Sequence, residues 1–286
     1  MTRQCFVAGF PISHSRSPAI HGFWIAEQGL DARYSAIEVK PEQLPALLQR
    51  VREGEFVGGN LTIPLKQAAV PLLDQITPEA GAMGAVNTIW MEDGRLCGAN
   101  TDVPGFFAHL DESAPGWDRA APEVLVLGAG GAARAIVYGL LRRKVSRIII
   151  ANRSLERAQA LIRSLAGPGL PPADAIAGLP DAALVARCGL VINTTSLGMK
   201  GQPPLTLDWP ARLDGVVVND IVYAPLETEL LAGARARGAL GVDGLGMLLH
   251  QAALAFGRWF GAVPAVSPAL RALIEADLAP KAAARP

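Results

Sequence analysis

The sequence predicts an α/β protein of two domains, the second of them a doubly wound sheet. Three observations carry that reading. With 286 residues the chain is long enough for about two domains, each with its own core. From Val124 onward, short continuous apolar runs ("VLVLG", "RIIIAN", "LVINTT", "GVVVNDIVY") alternate with amphipathic stretches such as "AARAIVYGLLRR" and "LERAQALIRSLA". Such runs are the strands of a parallel sheet covered on both faces, and the stretches between them are crossover helices. The first hundred residues alternate too, which makes the N-terminal part a second α/β unit.

In chain order, strands are expected at Cys5–Gly9, Tyr34–Val39 and Gly59–Ile63, with helices starting at Pro18 and Pro41, where proline suits a first turn. In "GGNLTIPLKQ" the alternation of an extended chain puts Leu61, Ile63 and Leu65 on one face. Asn60, Thr62, Pro64 and Lys66 share the other. Pro64 has no amide proton to give a ladder, so the strand should stop there and leave Lys66 at its end. The polar face then offers an amide, a hydroxyl and an ammonium to a small polyhydroxylated molecule. After the last strand, "GLGMLLHQAALAFGRWFG" is a long apolar helix expected to return to the first domain, and "APKAAARP" has little to bury and should fray.

Composition narrows the partners. Half of the residues are hydrophobic and 18% are charged, below the roughly 25% usual for soluble domains. Lys and Arg total 26, as do Asp and Glu, and no basic run stands out. The footprint of a nucleic-acid or anionic-membrane binder is missing, so the ligand is expected to be a small molecule. No apolar run approaches the roughly 20 residues of a membrane span, and "MTRQCFVAGF" lacks a signal-peptide core, which leads to the expectation of a cytoplasmic protein. Cys5, Cys97 and Cys188 are odd in number and far apart, so they read as buried small hydrophobes. His14, His21, His109 and His250 show no paired ligand spacing, and no metal is assigned.

The strongest local signal is "VLVLGAGGAARAIVYGLL". Gly128, Gly130 and Ala133 stand in G-x-G-x-x-A spacing between a strand and a helix. The first glycine permits the tight turn, the second lets a pyrophosphate reach the backbone, and the small third residue lets helix and strand pack closely. The loop Gly128, Ala129, Gly130, Gly131 and Ala132 is therefore assigned to a dinucleotide in a Rossmann-type domain. An NAD site would place an acidic residue at the end of the next strand. Here "IIIANRSLERAQ" has Asn152, Arg153, Ser154 and Arg157. Ser154 alone reads as a helix N-cap, but a cation at Arg157 opposes the helix dipole, and a bound anion relieves that conflict. Arg153, Ser154 and Arg157 are expected to cradle the 2′-phosphate of NADP, with Arg153 stacking on adenine.

Polar residues in the first domain suggest a second site. In "GFPISHSRSPAIHGFW" Ser13, Ser15 and Ser17 alternate, so an extended segment aims three hydroxyls one way, and Ser17 before Pro18 also suits an N-cap. Asn87 in "GAVNTIW" sits in an apolar setting and needs partners, unless it serves a turn. Asn100, Thr101 and Asp102 close a strand just before a helix, where Asp102 could equally be a cap.

The ordered set "GFPISHSRSP", "GGNLTIPLK", "GAVNTI", "NTD", "GAGGAAR", "NRS", "NTTSLGM", "DIVYAPLETELL" and "DGLGMLLHQAALAF" resembles the shikimate dehydrogenases over Gly9 to Phe260. The resemblance implies an NADP-dependent enzyme that interconverts 3-dehydroshikimate and shikimate on the route to aromatic amino acids. By matching motif, Lys66 and Asp102 are implied as the catalytic pair, Ser15 and Ser17 as carboxylate ligands, and Thr62, Asn87 and Gln251 as holders of the ring substituents. Tyr223 is implied to lie near the substrate, and Ile221 and Gly244 near the nicotinamide. Spacing alone would make Gln251 a surface polar residue. The implied organisation is a substrate-binding and catalytic domain over 1–103, an NADP-binding domain over 104–243, and a C-terminal helical segment over 244–286 packing back on the first. The oligomer is left as monomer or homodimer. Two other readings stand beside this one: a quinate/shikimate dehydrogenase of broader substrate and NAD/NADP use, and an NADP-sensing regulator without turnover, against which the retained Lys66 and Asp102 speak.

Overall fold

The computed structural model describes residues 2–279. Most of the "APKAAARP" ending, for which fraying was expected, lies outside the described residues. The chain divides into two compact units: one runs to Gly105 and resumes at Leu249, and the other is Phe106–Leu248.

The first unit contains β1 (Arg3–Gly9), α1 (Ser17–Glu27), β2 (Ala32–Glu38), α2 (Leu44–Arg52), β3 (Gly58–Leu61), α3 (Leu65–Ala68), β4 (Gln75–Ile76), α4 (Pro78–Met83), β5 (Thr88–Glu92) and β6 (Arg95–Ala99). Its sheet has the order β2-β1-β3-β5-β6-β4. β1 pairs in parallel with β2 and β3, whereas β5 runs antiparallel to β3 and β6. The β5–β6 hairpin turns on Asp93 and Gly94, both at positive φ, the conformation a two-residue hairpin turn needs. α2 buries Leu44, Leu47, Leu48 and Val51, one stripe at helical spacing, and shares a core with Phe6, Leu61, Leu65 and Ile89. Truncating Phe6 to alanine here should cost about 3–5 kcal/mol.

α5 (Asp102–Ser113) leads out of this unit. The second unit continues with β7 (Glu123–Leu127), α6 (Gly131–Leu140), β8 (Arg147–Asn152), α7 (Leu155–Leu165), β9 (Ala173–Ala177), α8 (Ala182–Arg187), β10 (Leu190–Asn193), β11 (Val217–Asp220), α9 (Glu229–Arg235) and β12 (Leu240–Val242). Its order is β12-β11-β10-β7-β8-β9, every pairing parallel. Counted from β7, this is the 3-2-1-4-5-6 order of a doubly wound dinucleotide-binding sheet, whose switch point lies between β7 and β10. β10 and β11 are buried throughout, as continuous apolar runs require.

α10 (Leu245–Phe260) and α11 (Pro268–Leu278) close the chain. Within the first unit the Trp259 indole of α10 donates to the Ile89 carbonyl at 3.0 Å. The Trp24 indole of α1 donates to the Ala265 carbonyl at 3.1 Å, which ties down the segment before α11. Among the described residues no helix is long and apolar enough to cross a membrane.

Three local expectations are corrected. β3 stops at Leu61, and the chain turns through Thr62, whose carbonyl accepts from Leu65 N at 2.7 Å. Lys66 therefore sits in the first turn of the short helix α3 and not at a strand end. The alternation fails with the strand: Leu61 and Leu65 are buried, but Ile63 is 74% exposed. Second, Ser13 and His14 form a turn, with Ser15 N donating to Ile12 O, so the three serines do not alternate along an extended segment. Third, Arg16 is the N-cap of α1 and Ser17 its first residue, while Ser15 Oγ accepts from Ser17 N at 3.3 Å.

Candidate active site

In the first unit the polar residues converge. Lys66 Nζ lies 2.5 Å from Asp102 Oδ2, and both side chains are partly buried. The other carboxylate oxygen of Asp102, Oδ1, accepts from Asn87 Nδ2 at 2.8 Å. Asp102 is the first residue of α5, yet its carboxylate faces Lys66 and Asn87, while Asn100 Oδ1 accepts its amide proton at 3.0 Å.

Asn87 is buried immediately before β5 and uses both ends of its amide. Its Oδ1 accepts from Thr101 N at 2.8 Å, and its Nδ2 donates to Thr101 Oγ1 at 3.0 Å. Gln251 joins them from α10: its Oε1 stands 3.5 Å from both Asn87 Nδ2 and Thr101 Oγ1, and the residue is 9% exposed. Spacing alone hid this, because the helix turns Gln251 onto the sheet. Thr62 is half-buried at the turn after β3. Ser15 and Ser17 stand at the start of α1, where Ser17 is buried. Asn60 departs from expectation: it is buried, and its amide is engaged by Tyr34, Asn87 and Thr88.

In the second unit the glycine loop lies at the switch point. Gly128 follows β7 with φ of 108°, and a Cβ there would come within 2.8 Å of Thr194 Oγ1. Thr194, just after β10, donates to the Leu127 carbonyl at 2.6 Å, so the loop is pinned across the crevice. Gly130 caps α6, and among the described residues, chain neighbours and the helix's own backbone aside, nothing lies within 4 Å of where its Cβ would be, nor of that of Gly131. Ala129 and Ala132 are half-buried, and Ala133 is buried against the sheet. This open backbone at a helix N-terminus fits a pyrophosphate.

Ser154 is the N-cap of α7, accepting from Arg157 N at 3.4 Å, and Asn152 Nδ2 donates to Ser154 O at 2.8 Å. Arg153 and Arg157 are exposed, and neither guanidinium pairs with a carboxylate among the described residues. Two unpaired cations around an N-cap suit a phosphate monoester.

Asp220 is a residue of this unit that motif spacing does not single out. It is buried at the end of β11, and burial raises its carboxyl above the ordinary range. It accepts from Asn193 Nδ2 at 2.8 Å, from Val222 N at 3.0 Å and from Thr228 Oγ1 at 2.8 Å. This fixes the loop that carries Ile221 and Tyr223, both half-buried. Gly244 is held against that loop, since a Cβ there would lie 2.2 Å from the Ile221 carbonyl oxygen. An acidic residue ending an apolar run was the available signal.

Sheet order, switch-point glycines and a lysine–carboxylate pair define the class as a dinucleotide-binding α/β dehydrogenase. Comparisons narrow it. Family profiles match at residues 7–89 (shikimate dehydrogenase substrate binding domain), 113–188 (shikimate / quinate 5-dehydrogenase) and 244–274 (shikimate 5′-dehydrogenase C-terminal domain). The chain is 51% identical over 282 residues to the NADP(+) shikimate dehydrogenase of Azorhizobium caulinodans, covering 98% of each. Its fold superposes with a TM-score of 0.82 on the Thermus thermophilus shikimate 5-dehydrogenase, solved with NADP(H) and shikimate, at 37% identity over 96% of this chain and 99% of that one. Quinate dehydrogenase of Corynebacterium glutamicum, solved with NAD, gives 0.86 at 32% identity, covering 96% and 99%. The chain belongs to the shikimate dehydrogenase family.

Proposed function

We propose that this protein catalyses the reversible, NADP-dependent reduction of 3-dehydroshikimate to shikimate, with Lys66 and Asp102 as its acid–base pair. The observation that carries the reading is the 2.5 Å contact between Lys66 Nζ and Asp102 Oδ2, with Asn87 on the other carboxylate oxygen. NADP, when bound, supplies the hydride donor and acceptor. Reduction of a ketone also needs a proton at the new hydroxyl oxygen, and oxidation needs a base to remove it. Lys66 performs that transfer, and Asp102 orients both Lys66 and the hydroxyl.

The remaining roles follow the family motifs. Ser15 and Ser17 take the substrate carboxylate; Thr62, Asn87 and Gln251 take its ring hydroxyls; Tyr223 is assigned to the substrate. Gly128, Ala129, Gly130, Gly131 and Ala132 receive the pyrophosphate, Asn152, Arg153, Ser154 and Arg157 the 2′-phosphate, and Ile221 and Gly244 border the nicotinamide. The reading is of a cytoplasmic enzyme that acts on a small molecule without nucleic acid, as a monomer or homodimer, and it is supported by relatives that carry a biosynthetic enzyme's name.

A second reading, quinate oxidation with NAD, is favoured by the likeness to the Corynebacterium glutamicum enzyme. The two unpaired arginines weigh against it, because NAD carries no 2′-phosphate. Initial rates with the four pairings of shikimate or quinate with NADP or NAD decide between them. Turnover confined to shikimate and NADP is expected, while comparable rates with quinate or NAD would move the assignment to the broader enzyme. Tight NADP binding without turnover would leave a sensor.

A further inference from the structure

Behind the Lys66–Asp102 pair runs a line of buried polar side chains that the roles above do not use. It begins at Tyr34 in β2, whose hydroxyl donates to Asn60 Oδ1 in β3 at 2.6 Å. Asn60 Nδ2 donates onward to the Asn87 carbonyl at 3.0 Å and to Thr88 Oγ1 at 3.1 Å. Thr88 Oγ1, having accepted, gives its own proton to Asn87 Oδ1 at 3.0 Å. The amide of Thr101 donates to the same oxygen. With donors on its oxygen side, Asn87 turns Nδ2 the other way, toward Asp102 Oδ1 at 2.8 Å.

A carboxamide has one donor end and one acceptor end, so each buried link in this line needs its partner in one orientation, and the loss of one link loosens the next. We propose that Tyr34, Asn60 and Thr88 are positioning residues whose ladder braces the Asn87 amide against Asp102, in the orientation that the Thr101 amide and the Asp102 carboxylate define. The proposal rests on the Lys66–Asp102 reading for its consequence in turnover, though not for the ladder itself.

Two features make Tyr34 a firm anchor for the ladder. Its phenol is deeply buried, and burial holds its proton on well above the ordinary tyrosine range, so it stays a donor. Its ring is also clamped: the His21 imidazole stacks on it at 4.1 Å and 14°, with Trp259 tilted at 5.9 Å. Among the described residues neither nitrogen of His21 has a hydrogen-bond partner. Without the Tyr34 hydroxyl, the buried Asn60 Oδ1 loses that donor, and the Asn60 amide is held only by its Nδ2 bonds to the Asn87 backbone carbonyl and Thr88 Oγ1. That loosening passes through Thr88 Oγ1 to the Asn87 Oδ1 it donates to.

Tyr34→Phe removes one oxygen and keeps the ring. With shikimate and NADP, and with active sites counted by NADP titration, its kcat should fall about tenfold while the KM for NADP holds. In an Asn87→Ala background the same change should cost less than about twofold, because the ladder has no end to act on. An equal loss in both backgrounds, or full turnover in Tyr34→Phe, overturns the proposal. Thr88→Val breaks the middle link and must repeat the pattern if Tyr34→Phe folds poorly. One readout needs no turnover: the side-chain amide NMR resonances of Asn87, assigned by their loss in Asn87→Ala, should move in Tyr34→Phe. If they stay in place the ladder is refuted, whereas absent wild-type turnover with shifted resonances would refute only the functional reading.

Discussion

The two units hold their functional groups in opposite conditions. In the first, Lys66, Asp102, Asn87, Thr101 and Gln251 occupy one another: each carboxylate oxygen of Asp102 has a donor, and Asn87 is bonded at both ends. In Phe106–Leu248, the Gly130 backbone is open and Arg153 and Arg157 face solvent without an ion-pair partner among the described residues. The contrast matches the chemistry proposed for each. Proton transfer depends on angles and on distances near 3 Å, so its groups are fixed beforehand by neighbours. Binding a phosphate needs charge and unoccupied donors, which would be neutralised by internal partners.

The contrast can be broken in order of expected effect. Asp102→Asn removes the charge that faces Lys66 and should lower kcat by about 100- to 1000-fold; unchanged kcat would reduce Asp102 to a helix-starting residue. Arg153→Ala combined with Arg157→Ala acts on the open side, and should raise the KM for NADP about 10- to 100-fold with little change for NAD, as steady-state kinetics will show. Equal effects on both cofactors would mean that the arginines do not read the 2′-phosphate. Saturating the open side should stabilise the fold: NADP at about 100 times its Kd adds about 2.7 kcal/mol, visible as a rise in melting temperature that the double arginine variant loses.

The smallest effect concerns pH. Burial lowers the His21 imidazole to about 3, so it folds neutral, whereas the unfolded chain protonates it near 6.5. Between those values the unfolded state binds more protons, so stability falls as pH falls from about 6.5 toward 3. His21→Phe should flatten denaturation midpoints measured between pH 7 and pH 5, with up to about 1.4 kcal/mol per pH unit removed from the slope. An unchanged slope would mean that His21 does not carry the acid sensitivity.

What could be read from the sequence divides along the same line. The open side was legible because its signals are local: strand, glycine spacing and "NRS" lie within about one βαβ unit. The pre-organised side was legible only in part. Lys66 and Asp102 came from matching motifs, and alternation misplaced Lys66, since the period of two carries on through Pro64 while the backbone turns into α3. Asn60 was read as facing a ligand because its partner Tyr34 lies 26 residues away in a different strand. Gln251 is 164 residues from Asn87, a separation no pattern along the chain can bridge. Asp220 went unnoticed at the end of a hydrophobic run although it organises a loop. The "EDGR" turn of the β5–β6 hairpin carried its signal openly and was passed over.

The central claim is that the Lys66–Asp102 pair moves the proton in a shikimate oxidation that NADP completes. Lys66→Ala tests it most directly, with kcat measured for shikimate and NADP beside the Kd for NADP by fluorescence titration. The account predicts a loss of about 1000-fold or more in kcat with cofactor affinity nearly intact. Near-normal turnover in Lys66→Ala would contradict it, whatever became of the cofactor.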